Sequence, residues 1–372
     1  MKNRPAIFNA QKSSLEEIKK QCEVVRVIDS YKEQLEDLFL IRNPRFRFDK
    51  SYKVDFDSFV LGHSGGRDLG LCGNWVFFPW NGYLVHFLVD LEHQEVRTAR
   101  NRNLITAEEQ QKFYNFKVGV AGLSVGSHGA LTLAIMGGCK HLRLADPDTI
   151  SPSNLNRMSF DFTEIGLNKA EVVAQYIYQL NPYADIELFL DGVTHENIES
   201  FVDGLDLVVE ELDDIEFKVK VREEAKKRKI PVLMATDNGD GVILDMERFD
   251  LHPQDPIFGG SLEGFDIQEI KRSPAKMFQA MAKIIDISLV PPRVINSVVE
   301  VGKTIYSWPQ LVSAATLSGV VIAYLVRRIA LGQPVKEGKY EVNLDEILDP
   351  EYQANAPIRQ KEVEKFSKAL GL

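Results

Sequence analysis

Between Lys117 and about Phe249 the chain alternates short apolar runs with helical segments, and few architectures accept that rhythm. Residues 118–121, 141–145, 186–190, 205–209 and 231–235 are too short for helices and mostly apolar, and read as buried parallel strands. Residues 127–136, 168–180, 195–201 and 215–229 carry helical patterning between them. The spacing predicts an α/β fold: a doubly wound, mostly parallel, Rossmann-like sheet with helices on both faces. In such sheets ligands gather at the carboxyl ends of the strands, where the strand order reverses.

The flanks read differently. Residues 1–95 form a small α+β unit, with helix-like spacing over 13–40 and a break at Asn43-Pro44. A glycine-rich loop comes next, at Gly62-His63-Ser64-Gly65-Gly66. Two apolar runs, 75–80 and 83–89, are then parted by Asn81-Gly82, a hairpin signal. Residues 96–250 hold the alternating segment, and 251–372 are a mixed C-terminal extension. Its firm element is a long apolar helix from about Gln310 to Ala330, closed at Gly332. The nearly apolar stretch 311–326 has 16 residues and ends in Arg327-Arg328, short of a bilayer span, so it reads as a buried helix.

Composition narrows the function classes. With 44 basic and 54 acidic residues, the net charge of −10 disfavours a nucleic-acid partner, since phosphate binding needs basic patches. Cys22, Cys72 and Cys139 are too few and too scattered for a disulfide framework or a paired zinc motif. The first 20 residues carry no apolar signal region, so a cytoplasmic protein without a membrane partner is expected.

The turn after the first strand of the alternating segment is Gly122-Leu123-Ser124-Val125-Gly126. Its small residues let the backbone approach a phosphate, and the helix beyond it aims N–H groups and its positive end at the anion. Asp146, 20 residues beyond Gly126 at the end of the second strand, is placed to accept from a ribose hydroxyl. The turn departs from the usual glycine spelling at Ala121 and Ser124. A tight strand–helix turn packed with small residues is the bland alternative.

The stretch from Asp146 onward is more specific: Asp146-Pro147-Asp148-Thr149-Ile150-Ser151-Pro152-Ser153-Asn154-Leu155-Asn156-Arg157, then Lys169 twelve residues on. This segment resembles the ThiF/MoeB/E1-like adenylating enzymes. The likeness extends through Asn181-Pro182, through Leu207-Val208-Val209 into Asp213, and upstream to Asn101-Arg102, about residues 99–250 in all.

The resemblance implies that a carboxylate attacks the α-phosphate of ATP, releasing pyrophosphate and leaving an acyl-adenylate. Arg157 and Lys169 would then spread phosphate charge, the guanidinium as a fork and the ammonium as a point. The nucleotide would lie on Gly122, Ser124, Gly126, Asp146, Asp148 and Asn154, with Asn154 orienting the phosphate tail. Asp213 matches the family's catalytic acid and would hold Mg2+. Arg102 matches an arginine that reaches the other subunit's ATP, implying a homodimer.

Surface solvation is the bland account of both cations, and helix-start acidity that of Glu210-Glu211-Leu212-Asp213-Asp214. It explains Asp214 well. Glu210 and Glu211, closing an apolar strand, invite a metal instead. Asp214 stands where the family has Asn. No cysteine occurs after Cys139, so the acyl group is expected to pass directly to its nucleophile rather than through a thioester. The expected substrate is a carboxylate of a peptide or small protein, in ribosomal peptide tailoring, with residues 1–95 as a recognition unit. Activation of a ubiquitin-like sulfur carrier, as in the MoeB branch, is the alternative. A non-catalytic nucleotide-binding protein and an NAD-binding protein are minor ones, the last giving no reason for the Ser153–Arg157 segment or Lys169.

Overall fold

The computed structural model describes residues 3–49 and 51–370. The chain divides into two units: Met1–Tyr114 with Ala134–Gly138 and Ala174–Ala184, and Asn115–Leu133 with Cys139–Val173 and Asp185–Leu372.

The first unit is built on four strands, β1 (Ala6–Asn9), β2 (Arg26–Ile28), β3 (Asn74–Phe78) and β4 (Tyr83–Phe87), in the order β1-β3-β4-β2. The helix expected over 13–40 is two helices, Leu15–Gln21 and Tyr31–Arg42, with β2 between them. Ser14 and Glu17 close a capping box at the first, and the β-branched Val27-Ile28 favours pairing with Leu84 and Val85 over helix. The hairpin forms, with Phe78 opposite Tyr83, but its loop is four residues long rather than Asn81-Gly82 alone. The expected glycine-rich loop is the end of helix Lys53–Ser64, which Gly65 caps at φ 58°. His86 fills the middle of the unit, stacked between Trp75 and Tyr31 with ring centroids 4.2 and 4.1 Å away.

The second unit carries β5 (Val118–Ala121), β6 (His141–Ala145), β7 (Asp185–Phe189), β8 (Leu207–Glu210), β9 (Val232–Asn238), β10 (Gly241–Glu247) and β11 (Gly338–Val342). Their order is β11-β10-β9-β8-β5-β6-β7. Pairs β6·β7, β5·β6, β5·β8 and β8·β9 are parallel, so the expected doubly wound α/β sheet is present. Strand order reverses at β5, with β6 on one side and β8 on the other.

The antiparallel β10 and β11 were not expected. A two-residue turn, Gly239-Asp240, closes β9 onto β10 with Asn238 opposite Gly241. Helix Val312–Ala330 lies on β9 and β10 and buries Ala314, Ala315, Ser318, Gly319, Ile322 and Ala323. By length and composition alone it would also cross a bilayer. Its end is a Schellman motif: Gln333 N–H donates to the Arg328 carbonyl and Gly332 N–H to that of Ile329.

The same helix meets the one at Gly126–Ile135 through glycines. A Cβ on Gly319 would lie 2.7 Å from the His128 backbone. Gly319→Leu is therefore expected to destabilise the protein by roughly 1–3 kcal/mol in urea unfolding. An unchanged midpoint would show that the two helices do not pack this closely.

Candidate active site

The site begins where β5 ends. Gly122 takes φ 88°, and a Cβ there would lie 2.3 Å from the Glu211 carbonyl oxygen. Only glycine lets the turn after β5 come this close to the loop after β8. Backbone bonds lock the approach: Gly122 N–H donates to Ala145 O at 2.9 Å, and Glu211 N–H to Ala121 O at 2.7 Å. Helix Gly126–Ile135 then starts directly from the turn.

Asp146 is 4% exposed and binds backbone with both oxygens, accepting from Leu123 N–H at 2.7 Å and Asp148 N–H at 2.8 Å. Burial pushes its carboxyl up, opposed by Lys169 and these two N–H groups. In this structure it fastens the turn to its own loop, leaving only remaining lone pairs for a ribose. Lys169 is also buried, its ammonium 2.8 Å from Asp148 Oδ2 and 3.8 Å from Asp146 Oδ1.

Arg157 holds the next residue of the turn. Its Nε donates to Ser124 Oγ at 3.2 Å, and its Nη1 to Ser153 O at 3.2 Å and Asn156 Oδ1 at 3.0 Å. His128 fixes the arginine's backbone from below, Nε2 donating to the Arg157 carbonyl at 2.6 Å. The two cations are thus tied to consecutive residues of the turn, Lys169 to Leu123 through Asp146 and Arg157 to Ser124 directly. Asn154 caps its own short turn, Oδ1 accepting from Ser151 N–H at 3.0 Å.

The acids after β8 separate into distinct roles. Asp213 is exposed, and its charge and that of Asp237 oppose the burial that pulls the Arg157 guanidinium down. Asp214 is the N-cap of helix Ile215–Lys227, accepting from Glu216 N–H at 2.8 Å. Glu210 does not face a metal, contrary to the expectation. It is fully buried, bonded to Arg222 and 3.1 Å from Lys218 Nζ, and it accepts from Leu212 N–H at 2.6 Å. Two basic side chains from the next helix reach that strand end and neutralise it. Glu211 accepts from Ala235 N–H at 2.6 Å, and burial pushes its carboxyl up to about 8.

Asp237 was missed by sequence reasoning. It sits at the carboxyl end of β9, held by Gln310 at 3.4 Å and Ser318 at 3.3 Å, and burial pushes it up to about 6. Its signal was an acid at the end of an apolar strand, the rule that found Asp146 and Asp213. Arg102 belongs to the first unit, where it binds Glu95 Oε1 at 2.8 Å and the Ile41 carbonyl at 3.3 Å. Cys139 is buried, its thiol pushed up by desolvation, and among the described residues no group of three or more His, Cys, Asp or Glu is placed to hold a metal ion.

Residues 98–264 match the ThiF family model, and the chain carries a ThiF-family domain over that span. An uncharacterised protein of Mycobacterium tuberculosis is 40% identical over 77% of this chain and 40% of its own length. The tRNA threonylcarbamoyladenosine dehydratase of Bacillus subtilis is 31% identical over 36% of this chain and 54% of its own. This chain therefore spans about half the length of these relatives or less. The solved structure of PaaA superposes with a TM-score of 0.49 at 22% identity, covering 68% of this chain and 79% of that one.

Glu211 yields a pH test. Its folded carboxyl titrates near 8, above the unfolded value of 4.5, so between these the folded state holds a proton that the unfolded state has lost. Stability should fall as pH rises through that window, by up to roughly 1.4 kcal/mol per pH unit from this group. Glu211→Gln should flatten the decline in urea unfolding followed from pH 4.5 to 8. A slope equal to wild type would mean that Glu211 ionises normally.

Proposed function

We propose that this protein is an ATP-dependent adenylating enzyme that activates a carboxylate of a peptide or small protein and passes the acyl group directly to its nucleophile. One observation carries the reading: two cations are fastened to adjacent residues of a glycine turn that opens onto a helix start, with an exposed acid within electrostatic reach of one of them. The ThiF-family domain supports the same chemistry.

In this reading the triphosphate lies along Gly122, Ser124 and Gly126, with Asp146 and Asp148 at the ribose side and Asn154 near the phosphate tail. As the carboxylate oxygen bonds to the α-phosphorus and the bond to pyrophosphate breaks, negative charge moves onto the departing oxygens. Arg157 and Lys169, already oriented by Ser124, Ser153, Asp146 and Asp148, meet that charge without reorganising. Mg2+ fits a site with one exposed carboxylate, because it keeps several waters and takes its other ligands from phosphates. Asp213 would hold it, and the ion would neutralise phosphate charge.

The remaining assignments belong to the same proposal. Arg102 serves the partner's site in a homodimer, residues 1–95 recognise the peptide, and residues 251–372 border the substrate. Direct transfer agrees with the buried, desolvated state of Cys72 and Cys139, whose thiols are held above their ordinary values. The activity named for the Bacillus subtilis relative concerns a tRNA nucleoside. The net charge of −10 weighs against an RNA partner here. Activation of a carrier protein's C-terminus is the second reading, distinguished by whether a Gly-Gly-tailed protein or a short peptide supports exchange.

ATP–pyrophosphate exchange with candidate peptides and carriers tests the proposal. Asp213→Ala should abolish exchange in a folded protein. Arg157→Ala and Lys169→Ala should each slow it more than a hundredfold, about 3 kcal/mol of lost transition-state stabilisation. Near-normal rates in all three would remove the catalytic assignment.

A further inference from the structure

We infer that a groove on the β11 side of helix Val312–Ala330 binds a small amphipathic carboxylate, its apolar chain lying along the helix and its charge on Arg328 and Lys336. The groove has a volume of 440 Å3, inside the range of roughly 300–1,000 Å3 usual for small-molecule sites.

The fold leaves this groove open. β11 is the edge strand, and its pairing sets Tyr340 opposite Leu244 and Val342 opposite Val242, so these side chains share one face of the sheet. The helix lies on β9 and β10, and Leu244, Tyr340 and Val342 line the groove beside it. Along the helix, Val320, Tyr324 and Arg328 follow one another every fourth residue and form a single stripe. That stripe is uncovered, with Val320 51% exposed and Tyr324 45%. Apolar walls from helix and strands together favour a ligand with an apolar body.

The charges that line it are all of one sign. Arg328 and Lys336 do so, and no carboxylate does. Arg328 donates from Nε and Nη2 to the Pro334 carbonyl at 2.9 and 2.8 Å, which orients the guanidinium and leaves Nη1 for a ligand. Pro334 stands two residues before Lys336, so both cations belong to the same end of the groove. The Lys336 ammonium rests 4.6 Å from the centroid of the Tyr340 ring. Arg327, outside the lining, lies 5.7 Å from the Tyr324 ring and adds to the positive field. None of these three cations pairs with an acid among the described residues, in a chain whose net charge is −10.

The nearest acids are turned elsewhere. Asp245 and Glu337 line a different cleft. Glu341 alternates onto the opposite face of the sheet, where it accepts from Asn238 Nδ2 at 2.8 Å. A free guanidinium edge and an ammonium side by side match the two oxygens of a carboxylate.

Saturation-transfer NMR on the full chain tests this with octanoate, and with octanol and octylammonium as neutral and cationic controls. Octanoate should bind saturably and about tenfold or more tighter than octanol, the worth of one charge-assisted contact, while octylammonium should not bind. Lys336→Glu and Val320→Glu, both at exposed positions, should each weaken octanoate by a similar factor, the first at its charged end and the second along its chain. Equal binding of octanol, octanoate binding that survives either substitution, or no binding to the wild type would overturn the site. So would sedimentation showing a dimer that Val320→Glu dissociates, a second copy then covering the groove.

Discussion

The close approach of two loops at the strand-order reversal governs the rest of the molecule. Gly122 can pass against the Glu211 carbonyl only because it has no side chain and tolerates a positive φ. That contact sets the turn after β5 beside the loop that bears Asp213. Asp146 is fastened to the first of these loops through Leu123 and Arg157 through Ser124, and Glu211 ties the second to Ala235 of β9. Fastening by backbone and short side chains lets such a site present charge without rearranging as a reaction proceeds.

Beneath the second loop lies a fully desolvated ionic cluster. Glu210 binds Lys218 and Arg222, Arg222 binds Glu247, and Glu210 also takes the Leu212 N–H next to Asp213. Burying these ions gains little over an apolar core, but removing one partner would strand the others at a cost of about 3–5 kcal/mol. The cluster holds the acid loop in a single position, with β8, β10 and helix Ile215–Lys227 each contributing one or more of its members.

Much of this was legible in the sequence where burial is two-sided. β5 lies where its apolar run predicts, because a strand covered on both faces tolerates no other pattern, and β6 also lies where expected although His141 and Arg143 alternate on its less buried face. β10 was hidden by Asp245 and Glu247, acids that read as surface residues; Glu247 is internal because it pairs with Arg222 from the preceding helix, whose charge also acts on Asp245. Asp237 escaped for a related reason: the apolar run ends at Ala235, while pairing with β10 carries the strand on to Asn238. The split of residues 13–40 turned on caps and on pairing with β4, and the hydrophobic spacing registers neither. The motif singles out Arg157, Lys169 and Asp213 as candidates, whereas the different surroundings of Asp213, Glu210 and Asp214 depend on side chains from the following helix that no local pattern registers.

The central claim is that the turn at Gly122 receives a triphosphate. Calorimetric titration of the folded protein with ATP and Mg2+, set beside titrations with NAD and NADH, addresses it most directly. One saturable ATP site per chain and no heat from either dinucleotide is the expected result. Binding of NADH, with ATP ignored, would contradict it.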